Sequence, residues 1–321
     1  MALSLKPSFD ATPQNEKPKR RKQAPLEDAS GRTLVSPLAF RRPSGRVIYW
    51  LVFTLLLLST LITLGPLYWM FSGALKSSIE IVQPTPTFWP LHPGWDNYIN
   101  AWKVLDLPLY FVNTLILAAG AVLFQFLVSA TAAYSLSKLR PAGKNLIQFS
   151  FFCTLMVPPV VYLIPQFVNI SDLPFIHVSL INNWAGVWLP EAASAFNILV
   201  LKSFFDGIPN ELTEAARLDG ANAWQLFTRI ILPLSRPALA VVTIFTVIAT
   251  WKDFLWPLLV LADSNVQSLQ LALYYAQVSN ANMPFTYLIA GLALASIPPV
   301  VLFVLLQKQI IRGISLTGLK G

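Results

Sequence analysis

The sequence predicts an all-α membrane protein. Of its 321 residues, 55% are hydrophobic and only 12% are charged, whereas a soluble domain usually carries about 25% charged residues. Runs without Asp, Glu, Lys or Arg extend over 47–75, 107–137 and 145–171, and each exceeds the roughly 20 residues that a helix needs to cross a bilayer. Such a chain must satisfy its backbone hydrogen bonds internally, which favours a helical bundle. The alternating segments of about 10 residues that are typical of an outer-membrane barrel are absent.

The distribution of apolar and basic residues predicts six transmembrane helices with both termini in the cytoplasm. The predicted crossings are roughly 47–70, 108–137, 145–168, 184–205, 237–261 and 285–307. Lys and Arg concentrate between the second and third crossings, between the fourth and fifth, and after the sixth. Because basic residues mark cytoplasmic loops, these segments and both termini are placed inside the cell.

Two regions follow from this division of the chain. Residues 1–46 contain ten Lys or Arg against four Asp or Glu and are rich in Pro and Ser, so we predict a disordered, basic cytoplasmic tail. Residues 47–321 form the membrane domain, with a cytoplasmic tail over about 308–321. The positive-inside rule accounts for the basic head, so nucleic-acid binding is not expected. The first apolar run is too long for the core of a cleaved signal peptide.

A polar segment at about 206–236 interrupts the apolar sequence on the cytoplasmic side. Its centre, "NELTEAARLDGANAWQLFTRIILPLSRP", predicts two short helices joined by a turn. Asn210 is a candidate N-cap for the first helix and Asn222 for the second, and Gly220 suits a left-handed turn between them. Pro233 is expected to end the second helix, and Arg236-Pro237 to begin the next crossing.

The second predicted helix has one apolar face. Trp224, Phe227, Ile230 and Ile231 recur at helical spacing, so this face is expected to pack on the cytoplasmic ends of the crossings. The first helix and the turn would then stay exposed. From the residues alone, the segment could be either a solvated connector or a docking site for a cytoplasmic partner.

The segment also resembles the EAA loop of permease subunits in ABC importers. Glu-Ala-Ala, three residues, Gly, nine residues and Ile-x-Leu-Pro follow one another at the spacing of that family, and they are met here by Glu214, Ala215, Ala216, Gly220, Ile230, Leu232 and Pro233. Stretches such as "SATAAYSLSKLR", "WKDFLWPLLVL" and "RGISLTGLKG" resemble the second, six-helix subunit of maltose-transporter-type sugar permeases. The resemblance covers about 47–321.

This resemblance implies a type I ABC importer permease fold in the cell membrane, with half of a translocation pathway for a sugar and transport by alternating access. It implies a coupling helix that docks on an ATPase through Glu214, Ala215, Ala216, Asp219 and Gly220. It also implies that the tail formed by Thr317, Gly318, Leu319, Lys320 and Gly321 reaches the ATPase dimer. The implied partners are a second permease subunit, two ATPase subunits, an extracytoplasmic solute-binding protein, the sugar and membrane lipid.

Two charges within the predicted crossings depart from the family pattern. Lys252 stands where Asn is frequent, and Glu191 stands where a small or aromatic residue is frequent. Because charges at membrane depth are costly, we expect Glu191, Lys252 and Asp253, with neighbouring Trp251, to line or flank the substrate path, or to pair structurally with one another or with a neighbouring subunit.

Other classes of function have little support in the sequence. There is no GxxxxGK[ST], so ATP and Mg would be bound by a separate ATPase and no cofactor is expected in this chain. The motifs HExxH and GxSxG of membrane enzymes are absent, and no internal repeat suggests a secondary transporter. His92 and His177 are the only histidines, so no metal site is expected; the single cysteine, Cys153, is expected to be a small buried hydrophobe.

Overall fold

The structure is a computed structural model that describes the backbone of residues 43–279 and 283–317 and the side chains of 44–279 and 283–307. All regular structure in these residues is helical. The predicted N-terminal tail lies almost wholly outside them, as do the Thr317 side chain and residues 318–321. Contacts divide the chain into two units, 1–63 and 64–321. All of the described helices lie in the second unit, except that the helix Pro43–Ala74 begins in the first.

The described residues form fourteen helices. They are α1 (Pro43–Ala74), α2 (Ser78–Ile81), α3 (Asp96–Val104), α4 (Leu107–Leu139), α5 (Lys144–Met156), α6 (Pro159–Ser171), α7 (Ala185–Glu191), α8 (Ala195–Asp206), α9 (Asn210–Leu218), α10 (Ala223–Leu234), α11 (Arg236–Lys252), α12 (Leu255–Val260), α13 (Leu269–Ser279) and α14 (Phe285–Thr317), with a short 3-10 turn at Ser264–Val266.

The described helices confirm a membrane protein but not the number of six crossings. By length and composition, α1, α4 and α14 can each cross a bilayer, and up to five spans result if two bent pairs count as one span each. One pair is α5 and α6, bent by 106°, and the other is α10 and α11, bent by 79°. Sharp bends of this kind commonly occur at proline, and Pro158 precedes α6 while Pro237 lies in the first turn of α11.

The predicted fourth crossing, 184–205, is broken rather than continuous. Its first part, α7, ends at Glu191, one residue after Pro190, and α8 starts afresh at Ala195. The Ser194 hydroxyl caps α8 by accepting the Asn197 backbone N–H at 3.4 Å, so the break is built into the sequence. Neither α7 nor α8 alone is long enough to span a bilayer.

Helix α4 is the central element of the second unit because it contributes to all three hydrophobic clusters. Leu107 packs with α3, α11, α13 and α14 in one cluster, and Leu117 packs with α6, α7 and α12 in another. Ala133 and Tyr134 belong to the third, with α8, α10 and α11. A rigid movement of α4 would therefore involve most of the bundle.

One close approach fixes α4 against α7. A Cβ atom on Gly120 would lie 2.1 Å from the indole ring of Trp188, so only glycine fits beneath this ring. The Trp188 Nε1 donates to the carbonyl oxygen of Leu117 at 3.0 Å, which satisfies its polar atom inside the bundle. Helix α7, which carries Glu191, is thereby held at a fixed depth along α4.

The prediction for Cys153 is wrong, because this cysteine is exposed. It lies on α5, a helix that buries none of its residues in this chain. An apolar surface of this kind does not require a protein core when the surroundings are lipid or another subunit.

Candidate functional site

The polar segment at about 206–236 forms two short helices joined by a turn, as predicted. The first, α9, begins at Asn210 after the extended residue Pro209, so Asn210 is inside the helix and is not its N-cap. The prediction that Asn210 caps this helix is therefore wrong. Its side-chain oxygen is instead a hydrogen-bond acceptor for the Nζ of Lys138, which is 3.3 Å away in space and 72 positions away in the sequence.

The turn between the two helices has the predicted chemistry. Gly220 has φ of 83°, in the left-handed region that favours glycine, and its backbone N–H donates to the Arg217 carbonyl at 3.0 Å. Asn222 then caps α10 in a reciprocal box with Gln225, with the two hydrogen bonds at 2.8 and 2.9 Å. The direction in which the chain leaves α9 is therefore defined by local hydrogen bonds.

The second helix, α10, anchors the segment on the bundle. Leu226, Phe227 and Ile231 are buried in the cluster around α4, α8 and α11. The Tyr134 ring on α4 packs on Phe227 with ring centroids 5.0 Å apart and an interplanar angle of 39°, and its hydroxyl donates to the Ala223 carbonyl at 2.9 Å. The helix ends at Leu234, one residue beyond Pro233, and Pro237 lies in the first turn of α11 as predicted.

The apolar face predicted for α10 is only partly correct. Phe227 and Ile231 are buried and Ile230 is half-buried, but the Trp224 side chain is 64% exposed. Leu226 is buried instead, so the buried face is made by Leu226, Phe227 and Ile231, with Ile230 beside them. A wide turn with π-helical hydrogen bonding covers Phe227–Ile231.

An exposed face remains on α9 and the turn. Glu214, Ala215, Asp219 and Gly220 are exposed, whereas Ala216 is half-buried and packs against the cluster below. The same segment carries exposed large apolar side chains: Leu212 and Leu218 on α9, with exposed fractions of 47% and 90%, which were not predicted from the sequence, and Trp224 on α10, which was expected to be packed and is 64% exposed. The sequence contained an indication of this exposed apolar surface, because these large apolar residues occur within an otherwise polar segment.

A polar cluster at the base of α9 fixes this helix to α4 and α8. The Nζ of Lys138 donates to the carbonyl oxygen of Ile208 at 2.7 Å. Asp206, at the end of α8, accepts from the Ser137 hydroxyl at 2.6 Å and pairs with Lys202 at 2.7 Å. This cluster joins residues about 70 positions apart, so the sequence alone did not reveal it.

Burial and the neighbouring groups have opposite effects on the pKa of the Asp206 carboxyl. Asp206 lies outside the candidate membrane spans. Burial by itself raises the pKa of the Asp206 carboxyl, but the hydrogen bonds from Lys202 and Ser137 and the charges of Lys202 and Lys138 lower it, and the net pKa is below its ordinary value. The carboxylate is therefore ionised and acts as an acceptor at neutral pH.

The residues predicted along the substrate path do not form one cluster in the structure, although Asp253 lies near enough to Glu191 to interact with it electrostatically. Trp251 is buried, donates its Nε1 to the Ala295 carbonyl at 3.1 Å and packs near Phe111. Lys252 is exposed, and no ion pair joins it to Glu191 or Asp253 in the part of the chain that the structure describes. Asp253 accepts backbone N–H groups at the start of α12, including that of Trp256.

Glu191 alone among these four lines a large, partly open cavity. The cavity has a volume of about 720 Å³ and lies among α4 to α8 and α11. The Thr250 hydroxyl donates to the Glu191 carboxylate at 3.4 Å. Gln125 and Thr246 are joined by a hydrogen bond, and both side chains also line the cavity. The bundle therefore has an open cavity in which polar side chains stand among apolar ones.

The chain is similar in sequence to known permease proteins. The probable ABC transporter permease protein YurM of Bacillus subtilis (strain 168) is 34% identical over 261 residues, which are 80% of this chain and 83% of the relative. The sn-glycerol-3-phosphate transport system permease protein UgpE of Yersinia pestis bv. Antiqua (strain Antiqua) is 31% identical over 268 residues, or 81% of this chain and 93% of the relative.

A solved structure has the same fold. The crystal structure of a bacterial ABC transporter involved in the import of the acidic polysaccharide alginate contains a chain that matches with a TM-score of 0.71 and 26% identity, covering 83% of this chain and 98% of that one. Residues 125–316 match the family described as the inner membrane component of binding-protein-dependent transport systems. The chain therefore belongs to this family of membrane permease subunits.

Proposed function

We propose that the chain is one of two permease subunits of an ATP-driven importer in the plasma membrane, and that it supplies half of the pathway for a sugar. A separate ATPase pair supplies the energy, and an extracytoplasmic binding protein delivers the solute. Transport proceeds by alternating access. Relatives named for glycerol phosphate and alginate transport support a polyhydroxy solute, an oligosaccharide in the first instance.

The observation that carries this proposal is the exposed face of α9. Glu214, Ala215 and the 90% exposed Leu218 project from a helix whose base is anchored to the bundle. A surface that combines exposed apolar side chains with a rigid support is typical of a docking site. Because the sequence has no P-loop, the partner on this face would be the ATPase.

The topology of six crossings belongs to the same proposal. The bent pair α5 and α6 would make the third crossing, the broken pair α7 and α8 the fourth, and α11 with α12 the fifth. The basic loops then lie on the cytoplasmic side together with both termini, as the positive-inside rule requires. The tail at 317–321 would reach the ATPase dimer.

Site-specific photo-cross-linking tests the docking face. A benzoylphenylalanine placed at Leu218 should form an adduct with the ATPase subunit in native membranes, with a yield that changes when ATP is added. The matched control is Phe175, which is 97% exposed in the loop between α6 and α7 on the proposed outer side. Absence of the adduct at Leu218, or the same adduct at Phe175, would overturn the proposal.

A further inference from the structure

Helix α3, which connects two candidate membrane spans, has two apolar faces. It lies between α1 and α4 in the chain. One face, with Tyr98 and Ala101, packs in the hydrophobic cluster that also contains parts of α11, α13 and α14. Beside it, Trp95, Ile99 and Trp102 recur at helical spacing, and all three side chains are exposed. A helix that packs on a protein core usually has polar residues on its other faces, so the second apolar face requires an explanation.

The loop before α3 adds further aromatic side chains at the end of α1. Phe88 and Trp89 have exposed fractions of 78% and 68%. The carbonyl oxygen of Phe88 accepts from the hydroxyl groups of Tyr68, at 2.7 Å, and of Ser72, at 3.1 Å. Both donors lie in the last turns of α1, so the backbone that carries the two aromatic side chains is held beside the end of this candidate span.

Two almost fully buried charged residues support this loop. The Nζ of Lys76 donates to the carbonyl oxygen of Thr87 and lies 4.2 Å from the centre of the Trp69 ring. The Glu80 carboxylate accepts from the Thr87 hydroxyl at 2.6 Å and from the Leu91 backbone N–H at 3.1 Å. Buried charges need such partners, and each partner here belongs to the loop or to α1. The exposed aromatic residues therefore project from a rigid backbone.

Helix α3 is attached to the same end of α1. The Asn97 side-chain amide donates to the carbonyl oxygen of Ala74, the last residue of α1, at 2.9 Å and to that of Lys76 at 2.8 Å. The Asn100 amide donates to the Tyr287 hydroxyl on α14 at 3.0 Å. Loop and helix thus carry one set of supported, exposed apolar residues, which we call the aromatic surface: Phe88, Trp89, Trp95, Ile99 and Trp102.

The position of the aromatic surface in the chain favours lipid as its environment. Because α1 and α4 are both candidate spans, the segment between them, 75–106, lies at one surface of the membrane. Tryptophan is enriched at this boundary, and amphipathic helices with aromatic and aliphatic side chains lie in its plane. The exposed charged residues of α3, Asp96 and Lys103, each follow a tryptophan of the stripe and so form an adjacent polar edge that can reach water.

We infer that the aromatic surface is a membrane anchor, which inserts between the headgroups and the upper acyl chains of the bilayer and holds the connection between α1 and α4 at that depth. Its occupant is phospholipid, and not a second subunit or a soluble protein. In the proposed topology the contacted leaflet is the outer one. The anchor is a contact with lipid, so it depends neither on the cargo nor on the ATPase.

Depth-dependent fluorescence quenching tests this contact, in the assembly purified through this chain and reconstituted in phospholipid nanodiscs. Cys153→Ser removes the only cysteine of the chain, and Ile99→Cys or Trp89→Cys then introduces a thiol for a bimane label. Ser264→Cys, at an exposed position in the polar turn Ser264–Val266, is the matched control. Nitroxides on the lipid headgroup, near the start of the acyl chain or near its end are the lipid quenchers, and iodide is the aqueous one. The Cys153→Ser assembly gives the background from other subunits.

At both labelled positions of the aromatic surface, the headgroup and upper-chain nitroxides should quench at least about twofold more than the chain-end nitroxide, because an interfacial helix lies about 5–10 Å into the bilayer boundary. At Ser264, iodide should quench and the lipid nitroxides should not exceed the background. Quenching at either labelled position by iodide alone would show that the surface faces water, and quenching by neither reagent would show that a protein covers it. Either result, or strongest quenching by the chain-end nitroxide, would overturn the inference.

A measurement on the unmodified chain guards against a folding defect in the variants. A phospholipid with a diazirine near the start of its acyl chain is added to the same nanodiscs, and adducts are mapped by mass spectrometry after illumination. Adducts are expected within 82–104 and not within 262–266. Their absence from 82–104, with adducts present on α1, would overturn the inference, as would labelling of both segments to the same extent.

Discussion

The ammonium group of Lys138, at the end of α4, donates to the main-chain oxygen of Ile208, 2.7 Å away and 70 positions further along the chain. This contact joins the segment just before α9 to the helix that enters all three hydrophobic clusters. A force applied to α9 would therefore reach the centre of the bundle without passing through the whole of α10.

Replacing Lys138 with methionine should weaken this mechanical link while keeping the apolar stem of the side chain. The ATPase should still co-purify, because the exposed face of α9 is unchanged, but solute-stimulated ATP hydrolysis should fall several-fold, since a hydrogen bond from a charged donor is lost. Lys144→Met is the matched control, because the described structure gives the Lys144 side chain no hydrogen bond. Equal hydrolysis by the two variants would show that Lys138 is not part of the coupling.

Gly220→Ala should destabilise the turn after α9 by about 1 kcal/mol, because an L-residue is disfavoured at φ of 83°. No atom lies within 4 Å of the added Cβ, so only backbone strain contributes. Gly143, in the loop before α5, has φ of 79° and similarly open surroundings, which makes Gly143→Ala a matched control. Both variants should lose similar thermal stability, and only Gly220→Ala should reduce ATPase binding; equal binding by both would contradict this.

Gly120→Ala should lower the apparent melting temperature in detergent, because the new methyl group overlaps the Trp188 indole in the contact between α4 and α7. Overpacking of this kind costs about 1–3 kcal/mol. Gly65→Ala, at a position with no atom within 4 Å of the added Cβ, provides the comparison and should have little effect. A melting temperature for Gly120→Ala that equals the value for Gly65→Ala would argue against the close approach.

Asp206 should make stability depend on pH at the acidic end. Its pKa in the folded protein is below the ordinary value of about 3.9, so its stabilising contribution is fully present above that pH and is lost as the pH falls through the folded value. Asp206→Asn should therefore be less stable than the parent at pH 6, and the difference should shrink below about pH 4. A difference that is constant down to pH 3 would contradict the assigned interactions.

Local chemistry made the turn between α9 and α10 predictable from the sequence. Gly220 and Asn222 act through their own backbone angles and a neighbour three residues away, so their roles needed no tertiary information. Asn210 was misassigned because a long-range contact from Lys138 holds its side chain. Trp224 was misassigned because Leu226, and not Trp224, belongs to the buried face of α10. Cys153 was misassigned because hydrophobicity predicts burial in lipid and burial in protein equally well.

The interior of the bundle was less accessible to sequence reasoning. Glu191 lines the cavity, whereas Trp251, Lys252 and Asp253, which lie at the break between α11 and α12, do not; the role of these residues in a substrate path stays a prediction. Trp251, Lys252 and Asp253 are consecutive in the sequence, which suggested a single cluster, but the break between α11 and α12 separates their surroundings. Asn197, which shares the cavity with Glu191, looked like an ordinary helical residue in the sequence.

The decisive measurement is ATP hydrolysis by the assembly purified through a tag on this chain, from native membranes in mild detergent. We expect an ATPase subunit to be recovered together with the chain and to hydrolyse ATP, and the chain expressed and purified without partners to hydrolyse none. Recovery of the chain without an ATPase, or ATP hydrolysis by the isolated chain, would show that this chain is not the permease subunit of an ATP-driven importer.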